Sequence, residues 1–164
     1  MWGSSAVANY AFIDGQNLHS GIMQVGWRLD YRKLRGYLAR QYQVTTSYYF
    51  LGYLESQERL YVYLRQCGYE LRFKPVTKDA YGNVKGNVDA ALVLQAMVDF
   101  AHYDRAVLVS GDGDYYSLVA HLRTENKLGA ILSPNRGYCS TLLKKEARGR
   151  LWYIEDMRHL VEYT

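Results

Sequence analysis

The 164-residue sequence is poor in proline and cysteine, with two of each, and it has no long uncharged apolar run. With 49% hydrophobic and 22% charged residues, it is not a disordered, collagen-like or proline-rich chain, and it can bury a core. The most apolar stretch, residues 88–101, is interrupted by Asp89, Gln95 and Asp99. It does not supply the roughly 18 uncharged residues that a membrane span needs, so we expect no membrane partner.

The two cysteines, Cys67 and Cys139, are too few for a disulfide framework and lack the CxxC spacing of a zinc site. We expect free thiols in a reducing compartment. Residues 1–5 contain no basic residue ahead of an apolar stretch, so they do not match a secretory signal. These features predict a cytoplasmic protein.

The length and the net charge predict a single, mildly basic domain. The chain has the length of a single domain, residues 1–164, and its formal charge of +4 makes it only mildly basic. Tight nonspecific binding to nucleic acid is therefore not predicted.

Tyrosine is unusually abundant, with 17 residues in a chain whose aromatic content is 15%. Aromatic faces can stack on unpaired bases, yet tyrosine also suits strand surfaces and subunit interfaces, so composition supports nucleic-acid binding only weakly. We expect several tyrosines at the surface and, on that ground, predict a homodimer. The examples are Tyr48, Tyr61, Tyr63, Tyr81 and Tyr138.

Strand and helix patterns alternate along the chain. Short apolar or β-branched stretches predict strands at 9–14, which runs into a loop, and at 44–53, 69–76, 106–110, 128–132 and 151–154. Apolar residues at helical spacing predict helices at 31–42 (N-cap Asp30), 55–67, 87–101 (N-cap Asn87), 115–122 and 140–148, and a helix or tail at 155–163. The series predicts an α/β fold, a three-layer Rossmann-like sandwich with a mostly parallel sheet. Pro75 and a polar face favour an edge position for 69–76.

Four aspartates lie at predicted strand and helix ends. Asp14 ends the first strand, Asp112 and Asp114 follow the strand 106–110, and Asp89 opens a helix. In a doubly wound sheet, ligands bind beyond the carboxyl ends of the strands, so we expect these side chains to converge. Each aspartate alone could equally be an N-cap or a turn residue. Because gathered carboxylates repel one another and hard cations prefer oxygen ligands, the set predicts a Mg²⁺ or Mn²⁺ site.

Other chemistries find little support. The sequence has no phosphate-binding loop of the Gly-x-x-x-x-Gly-Lys type and no Gly-x-Ser-x-Gly nucleophile elbow. An aspartyl-phosphate phosphatase would carry a second acid two places after Asp14, where this chain has Gln16.

Three short blocks carry a resemblance to a known family. They are FIDGQNL at 12–18, KGNVD at 85–89 and VSGDGDY at 109–115. In this order, the blocks resemble the signature motifs of the NYN domains, the LabA-like branch of the PIN-like nucleases. The resemblance implies a PIN-like fold and a metal-dependent endoribonuclease that uses Mg²⁺ or Mn²⁺ on RNA and leaves a 5′-phosphate and a 3′-hydroxyl. The alternative is a non-catalytic RNA-binding or regulatory module of the same fold.

The resemblance also implies roles for single residues. The acidic catalytic and metal-binding set would be Asp14, Asp89, Asp112 and Asp114. Asn17 would orient Asp14 or a metal-bound water, Ser110 would support the loop, and Lys85 would face the substrate phosphate.

Further cations are expected near the same rim. Asn135 and Arg136 follow the strand 128–132 and are candidate phosphate ligands. The late helix departs from the family by being basic, and its cations either contact the RNA backbone or form a solvated face. They are Lys144, Lys145, Arg148 and Arg150.

Overall fold

The computed structural model describes residues 6–74, 77–82, 84–85 and 88–164. Within these residues, six strands form the main sheet. They are β1 (Asn9–Asp14), β2 (Val44–Gly52), β3 (Glu70–Lys74), β6 (Ala106–Val109), β7 (Leu128–Ser133) and β8 (Leu151–Tyr153). A separate antiparallel pair is formed by β4 (Thr77–Lys78) and β5 (Val84–Lys85).

All pairings in the main sheet are parallel, and the strand order is β3-β2-β1-β6-β7-β8. The predicted α/β fold with a parallel sheet is confirmed, as is the edge position of β3. The order reverses between β1 and β6, which places a crevice at the carboxyl ends of these two central strands. Pro75 lies outside the described residues.

Helices cover both faces of the sheet. Those in the described residues are α1 (Gly15–Gln24), α2 (Tyr31–Tyr42), α3 (Glu58–Gln66), α4 (Asp89–Val98), α5 (Tyr116–Thr124), α6 (Thr141–Ala147) and α7 (Arg158–Val161). Asp30 caps α2 as predicted, because its Oδ1 accepts a hydrogen bond from the Lys33 amide at 3.0 Å. Helix α4 begins at Asp89 with Val88 at the N-cap position, whereas the predicted cap, Asn87, lies outside the described residues.

Helix α1 occupies residues that the sequence pattern assigns to a loop, and that prediction was wrong. The buried face of this helix carries only two large apolar side chains, Leu18 and Ile22, because its other buried residues are Gly15 and Gly21. A Cβ at Gly21 would lie 2.4 Å from Pro134 Cβ, so glycine is needed for the helix to pack against the loop after β7. The pattern of large apolar residues that normally predicts a helix is therefore weak here.

Alternate residues of the central strands feed two cores. Ala11 and Ile13 pack under α1, α2, α3 and α7, while Phe12 packs on the opposite side under α4, α5 and α6. This alternation follows from the period of two along a strand and gives three layers.

Most of the tyrosine is structural. Tyr48 and Tyr61 are 7% and 2% exposed, so the prediction that they lie at the surface was wrong, because both fill space between the sheet and its helices. Tyr63 is half-buried, whereas Tyr81 and Tyr138 are exposed.

Two further expectations concern the environment of the chain. Nowhere in the described residues is a helix both long and apolar enough to cross a membrane. Cys67 and Cys139 are free thiols, and both are buried.

Candidate metal centre at the carboxyl end of the sheet

Asp14 lies at the centre of the candidate site. It ends β1 and caps α1, so its carboxylate sits where the central strand meets a helix N-terminus, and it is only 4% exposed. Its Oδ1 accepts a hydrogen bond from the Asn17 amide at 3.1 Å, and its Oδ2 accepts one from the Tyr115 hydroxyl at 3.0 Å. Each oxygen retains a lone pair for a further ligand.

Two other carboxylates approach Asp14. Asp89 is the first residue of α4, and Asp112 follows β6, where its Oδ1 accepts a hydrogen bond from the Asp114 amide at 2.9 Å. One oxygen from each of Asp14, Asp89 and Asp112 lies within 4.8 Å of the other two. We call these three residues the aspartate cluster. A single Mg²⁺ holds oxygens at about 2.1 Å, so a small rotation of these side chains would bring all three within ligand distance.

Asp114 lies at the edge of this arrangement. It lines the same cleft of about 340 Å³ as the aspartate cluster, but its side chain is exposed and is not one of the three that converge. The four aspartates of the sequence prediction therefore divide into three whose oxygens converge and one, Asp114, that is exposed and forms a hydrogen bond with Asp89 at the edge of the cleft.

The electrostatics of the cluster disfavour three ionised carboxylates without a counter-ion. Burial and, to a smaller extent, the charges of Asp89 and Asp112 raise the pKa of Asp14 to about 6, against the hydrogen bonds from Asn17 and Tyr115. Burial, followed by the charges of Asp112 and Asp114, also raises the pKa of Asp89. Among the described residues, no Lys or Arg forms a salt bridge with Asp14, Asp112 or Asp114. A bound cation would remove this penalty.

Tyr115 is a site residue that the sequence reasoning missed, since it assigns the residue only to a helix face. Its ring is fully buried in the core beneath α4 and α5, and its hydroxyl reaches Asp14. Burial and the nearby carboxylates raise its pKa, so it stays a neutral hydrogen-bond donor. The available signal was its place in the block 109–115, one residue after Asp114.

Asn17 and Ser110 fix the loops around the cluster. The contact of Asn17 with Asp14 is made by its backbone, while its side-chain Oδ1 accepts from the Gly111 amide at 2.9 Å. The fully buried Ser110 accepts from the Asp112 amide through its Oγ at 3.1 Å. These bonds tie α1 to the loop after β6 and so hold Asp14 and Asp112 beside each other.

The two candidate phosphate ligands after β7 are occupied by structural contacts. Asn135 is 2% exposed; its Nδ2 donates to the Gly21 carbonyl at 2.6 Å and its Oδ1 accepts from the Tyr138 amide at 2.9 Å. Arg136 donates to both carboxylate oxygens of Asp156 at 2.5 Å, and its guanidinium lies 4.4 Å from the Tyr153 ring centroid. Both side chains therefore have structural contacts, and the phosphate-binding role predicted for them stays a prediction.

The remaining predicted cations stay predictions. The backbone of Lys85 lies in β5, but its side chain is outside the described part of the structure. Lys144, Lys145 and Arg148 are exposed at or near the end of α6. The Arg150 side chain donates a hydrogen bond to the Leu128 carbonyl at 2.7 Å and so connects the residues after α6 to β7.

Comparison with known proteins decides the family. The model of the NYN domain matches residues 10–153. The chain belongs to the NYN domain family. NYN domains are part of the PIN-like nuclease superfamily, so the resemblance carried by the three sequence blocks is confirmed.

Two known proteins match nearly the whole of this NYN domain, one in sequence and one in fold. The Low amplitude and bright protein LabA of Synechococcus elongatus is 26% identical over a 163-residue alignment that covers 93% of this chain and 87% of LabA. The crystal structure of a protein of unknown function from Vibrio parahaemolyticus matches with a TM-score of 0.80 at 22% identity, covering 98% of this chain and 99% of that chain. The second likeness shows that the NYN chain and the Vibrio protein share a fold.

Proposed function

We propose that this NYN domain is a metal-dependent endoribonuclease. The observation that carries the proposal is the convergence of Asp14, Asp89 and Asp112 at the point where the strand order reverses, in a fold of the PIN-like nuclease superfamily. This is the position at which α/β sheets bind their ligands.

The cluster fits a hard divalent cation. Its donors are all carboxylate oxygens, which Mg²⁺ and Mn²⁺ prefer, and the cleft is open enough for water to complete the coordination. A cation bound there would lower the pKa of a water molecule and offset the charge that builds up on the scissile phosphate. We propose Asp14, Asp89 and Asp112 as its ligands.

The other residues prepare this site. The Tyr115 hydroxyl and the Asn17 amide hold Asp14 in one orientation, and Ser110 holds the turn that carries Asp112. We assign to Asp114, which is exposed in the same cleft, the role of orienting the attacking water and taking its proton. In-line attack of that water on phosphorus would break the bond to the 3′-oxygen, which would take a proton from solvent water, and would leave a 5′-phosphate and a 3′-hydroxyl.

The proposal also covers the setting of the protein. We propose one domain over residues 1–164, acting on RNA in the cytoplasm. We also propose a homodimer, because Tyr81 and Tyr138 are 91% and 68% exposed and exposed tyrosine suits a subunit interface. Light scattering at micromolar concentration should give twice the chain mass; the mass of one chain would remove the dimer.

Cleavage of a 5′-labelled single-stranded RNA tests the function. We expect cutting in Mg²⁺ or Mn²⁺, none in EDTA, and a loss of at least about a hundredfold in Asp112→Asn, because charge stabilisation at the phosphate depends on the cluster. The matched control is Glu125→Gln, which removes the same charge from an exposed carboxylate at the end of α5.

Product mapping completes this test. We expect 5′-phosphate and 3′-hydroxyl ends. RNA that is bound but not cut with any metal would overturn the nuclease and favour the non-catalytic RNA-binding module.

A further inference from the structure

A second cleft of about 600 Å³ opens beside the aspartate cluster. Gln16 and Val88 line both clefts, so the two are continuous. Its wall also includes Gly15, the residue after Asp14, and Val88 is the residue before Asp89. A ligand with one group at the carboxylates would therefore extend directly into this space.

Among the described residues that line the second cleft there is no Asp, Glu, Lys or Arg. Its apolar and aromatic wall is formed by Tyr31, Tyr49, Leu51, Leu54, Leu60, Tyr61 and Val88. The polar side chains are Gln16, His19 and Gln57, and all three are exposed. Among the described residues, neither Gln16 nor Gln57 has a side-chain hydrogen bond, so both amides are available to a ligand. Because none of the described side chains that line it belongs to a Lys or Arg, this cleft does not suit a phosphate group.

The floor of the second cleft is held in place by the protein itself. The Tyr49 ring packs so closely on Gly15 that a Cβ there would lie 2.4 Å from Tyr49 Cε1. The Tyr49 hydroxyl lies 3.4 Å from that of Tyr31, and the Tyr61 hydroxyl accepts from the Leu54 amide at 2.8 Å. Tyr49 and Tyr61 are only 4% and 2% exposed, so these contacts fix a floor beneath the half-buried Tyr31 and the exposed Leu54 and Leu60. The cleft is therefore formed before any ligand binds, which lowers the entropy cost of binding.

We propose that this second cleft binds the nucleobase of one nucleotide next to the scissile bond. The inference rests on the proposed function, because it takes the phosphodiester group to lie at the aspartate cluster. The base is the part of RNA that is flat and uncharged and has hydrogen-bonding edges, and aromatic surfaces and side-chain amides recognise these features. The cleft would fix which phosphate reaches Asp14, Asp89 and Asp112.

The test uses RNAs that lack a single base. A labelled five-nucleotide RNA and five versions of it, each abasic at one position, are titrated by fluorescence anisotropy in Ca²⁺, and the RNA is checked for integrity afterwards. We expect one abasic position to weaken binding about tenfold, because each stacked base contributes on that scale. The double variant Leu54→Ala/Gln57→Ala should bind the intact RNA about tenfold more weakly and lose its sensitivity to that position.

A matched control separates the cleft from general surface loss. Leu160 on α7 is 49% exposed, like Leu54 at 48%, and it does not line this cleft, so Leu160→Ala should bind as the wild type does. Equal binding of all five abasic RNAs, or a double variant that keeps the abasic sensitivity, would overturn the inference.

The failure of this inference and that of the nuclease give different results. RNA cleavage without any dependence on a neighbouring base overturns the base cleft and leaves the nuclease intact. Base-dependent binding without cleavage overturns the nuclease and leaves the cleft intact. A wild-type protein that binds none of the RNAs overturns both.

Discussion

Replacing Asp14 by Asn should stabilise the metal-free protein while removing one ligand of the proposed metal site. Burial and the neighbouring carboxylates raise the pKa of Asp14 from its ordinary value of 3.8 to about 6. The folded protein therefore binds more protons than the unfolded chain between these two pH values, and its free energy of unfolding falls as pH rises through that window. Above about pH 6 the penalty is fully present.

The magnitude follows from the two pKa values. Their difference of about two pH units corresponds to about 3 kcal/mol of lost stability at neutral pH. Asparagine avoids this penalty, because it carries no charge. Its Oδ1 can still accept from the Asn17 amide, and its Nδ2 can donate to the Tyr115 oxygen while the Tyr115 hydroxyl turns towards Asp89.

Urea denaturation in EDTA measures this effect. At about pH 7.5, Asp14→Asn should be more stable than the wild type by about 2 to 3 kcal/mol, and the difference should shrink to near zero by about pH 3. Glu125→Gln, an exposed carboxylate, should show no such change. Adding Mn²⁺ should stabilise the wild type and leave Asp14→Asn unchanged, since only a binding-competent fold gains from the ligand. A variant no more stable than the wild type at pH 7.5, or a difference that does not depend on pH, would refute this reasoning.

Three other substitutions test the separate roles assigned above. Tyr115→Phe removes a hydrogen bond that lowers the pKa of Asp14, so the Asp14 carboxyl should ionise at a higher pH in the variant. Because Mn²⁺ binds the ionised carboxylate, the pH at which Mn²⁺ affinity rises should also be higher than in the wild type. An unchanged pH profile would contradict this. Asp114→Asn should keep Mn²⁺ binding but lower kcat on RNA about a hundredfold, and loss of Mn²⁺ binding would instead make Asp114 a ligand. Arg136→Ala should leave the salt dependence of RNA binding unchanged, because Asp156 already pairs with Arg136, whereas loss of a phosphate contact would reduce the slope by about 1.

The sequence predicts the fold well because buried strands are recognisable as short runs of apolar residues. The strands 9–14 and 106–110 are short apolar runs that end near acids, and these became β1 and β6 on either side of the crevice. Helix α1 was not predicted, because its packing against Pro134 requires glycine at position 21 and glycine has a low helix propensity.

The site was predictable only in part, for reasons that depend on contacts between distant residues. Strand ends place Asp14 and Asp112 together, since the carboxyl ends of parallel strands share one edge. The hydrogen bond from Tyr115 to Asp14 spans 101 positions and has no local signature. Position at the rim also suggested Arg136 as a phosphate ligand, but its partner Asp156 comes from the far side of β8 in the chain.

Tyrosine burial shows the limit of composition. The same residue type suits a base-stacking surface, a subunit interface and a core, and only packing tells them apart. Tyr48 donates to Asp99 at 2.7 Å inside the core, whereas Tyr31 lines the second cleft. The sequence alone could not make this distinction.

Anomalous scattering from crystals soaked in Mn²⁺ would show whether the aspartate cluster binds a metal ion. We expect one strong peak between Asp14, Asp89 and Asp112, with an oxygen of each within about 2.3 Å of it, and loss of the peak in crystals of Asp112→Asn. A structure with no peak at the aspartate cluster, or with Mn²⁺ bound only at other carboxylates, would contradict it.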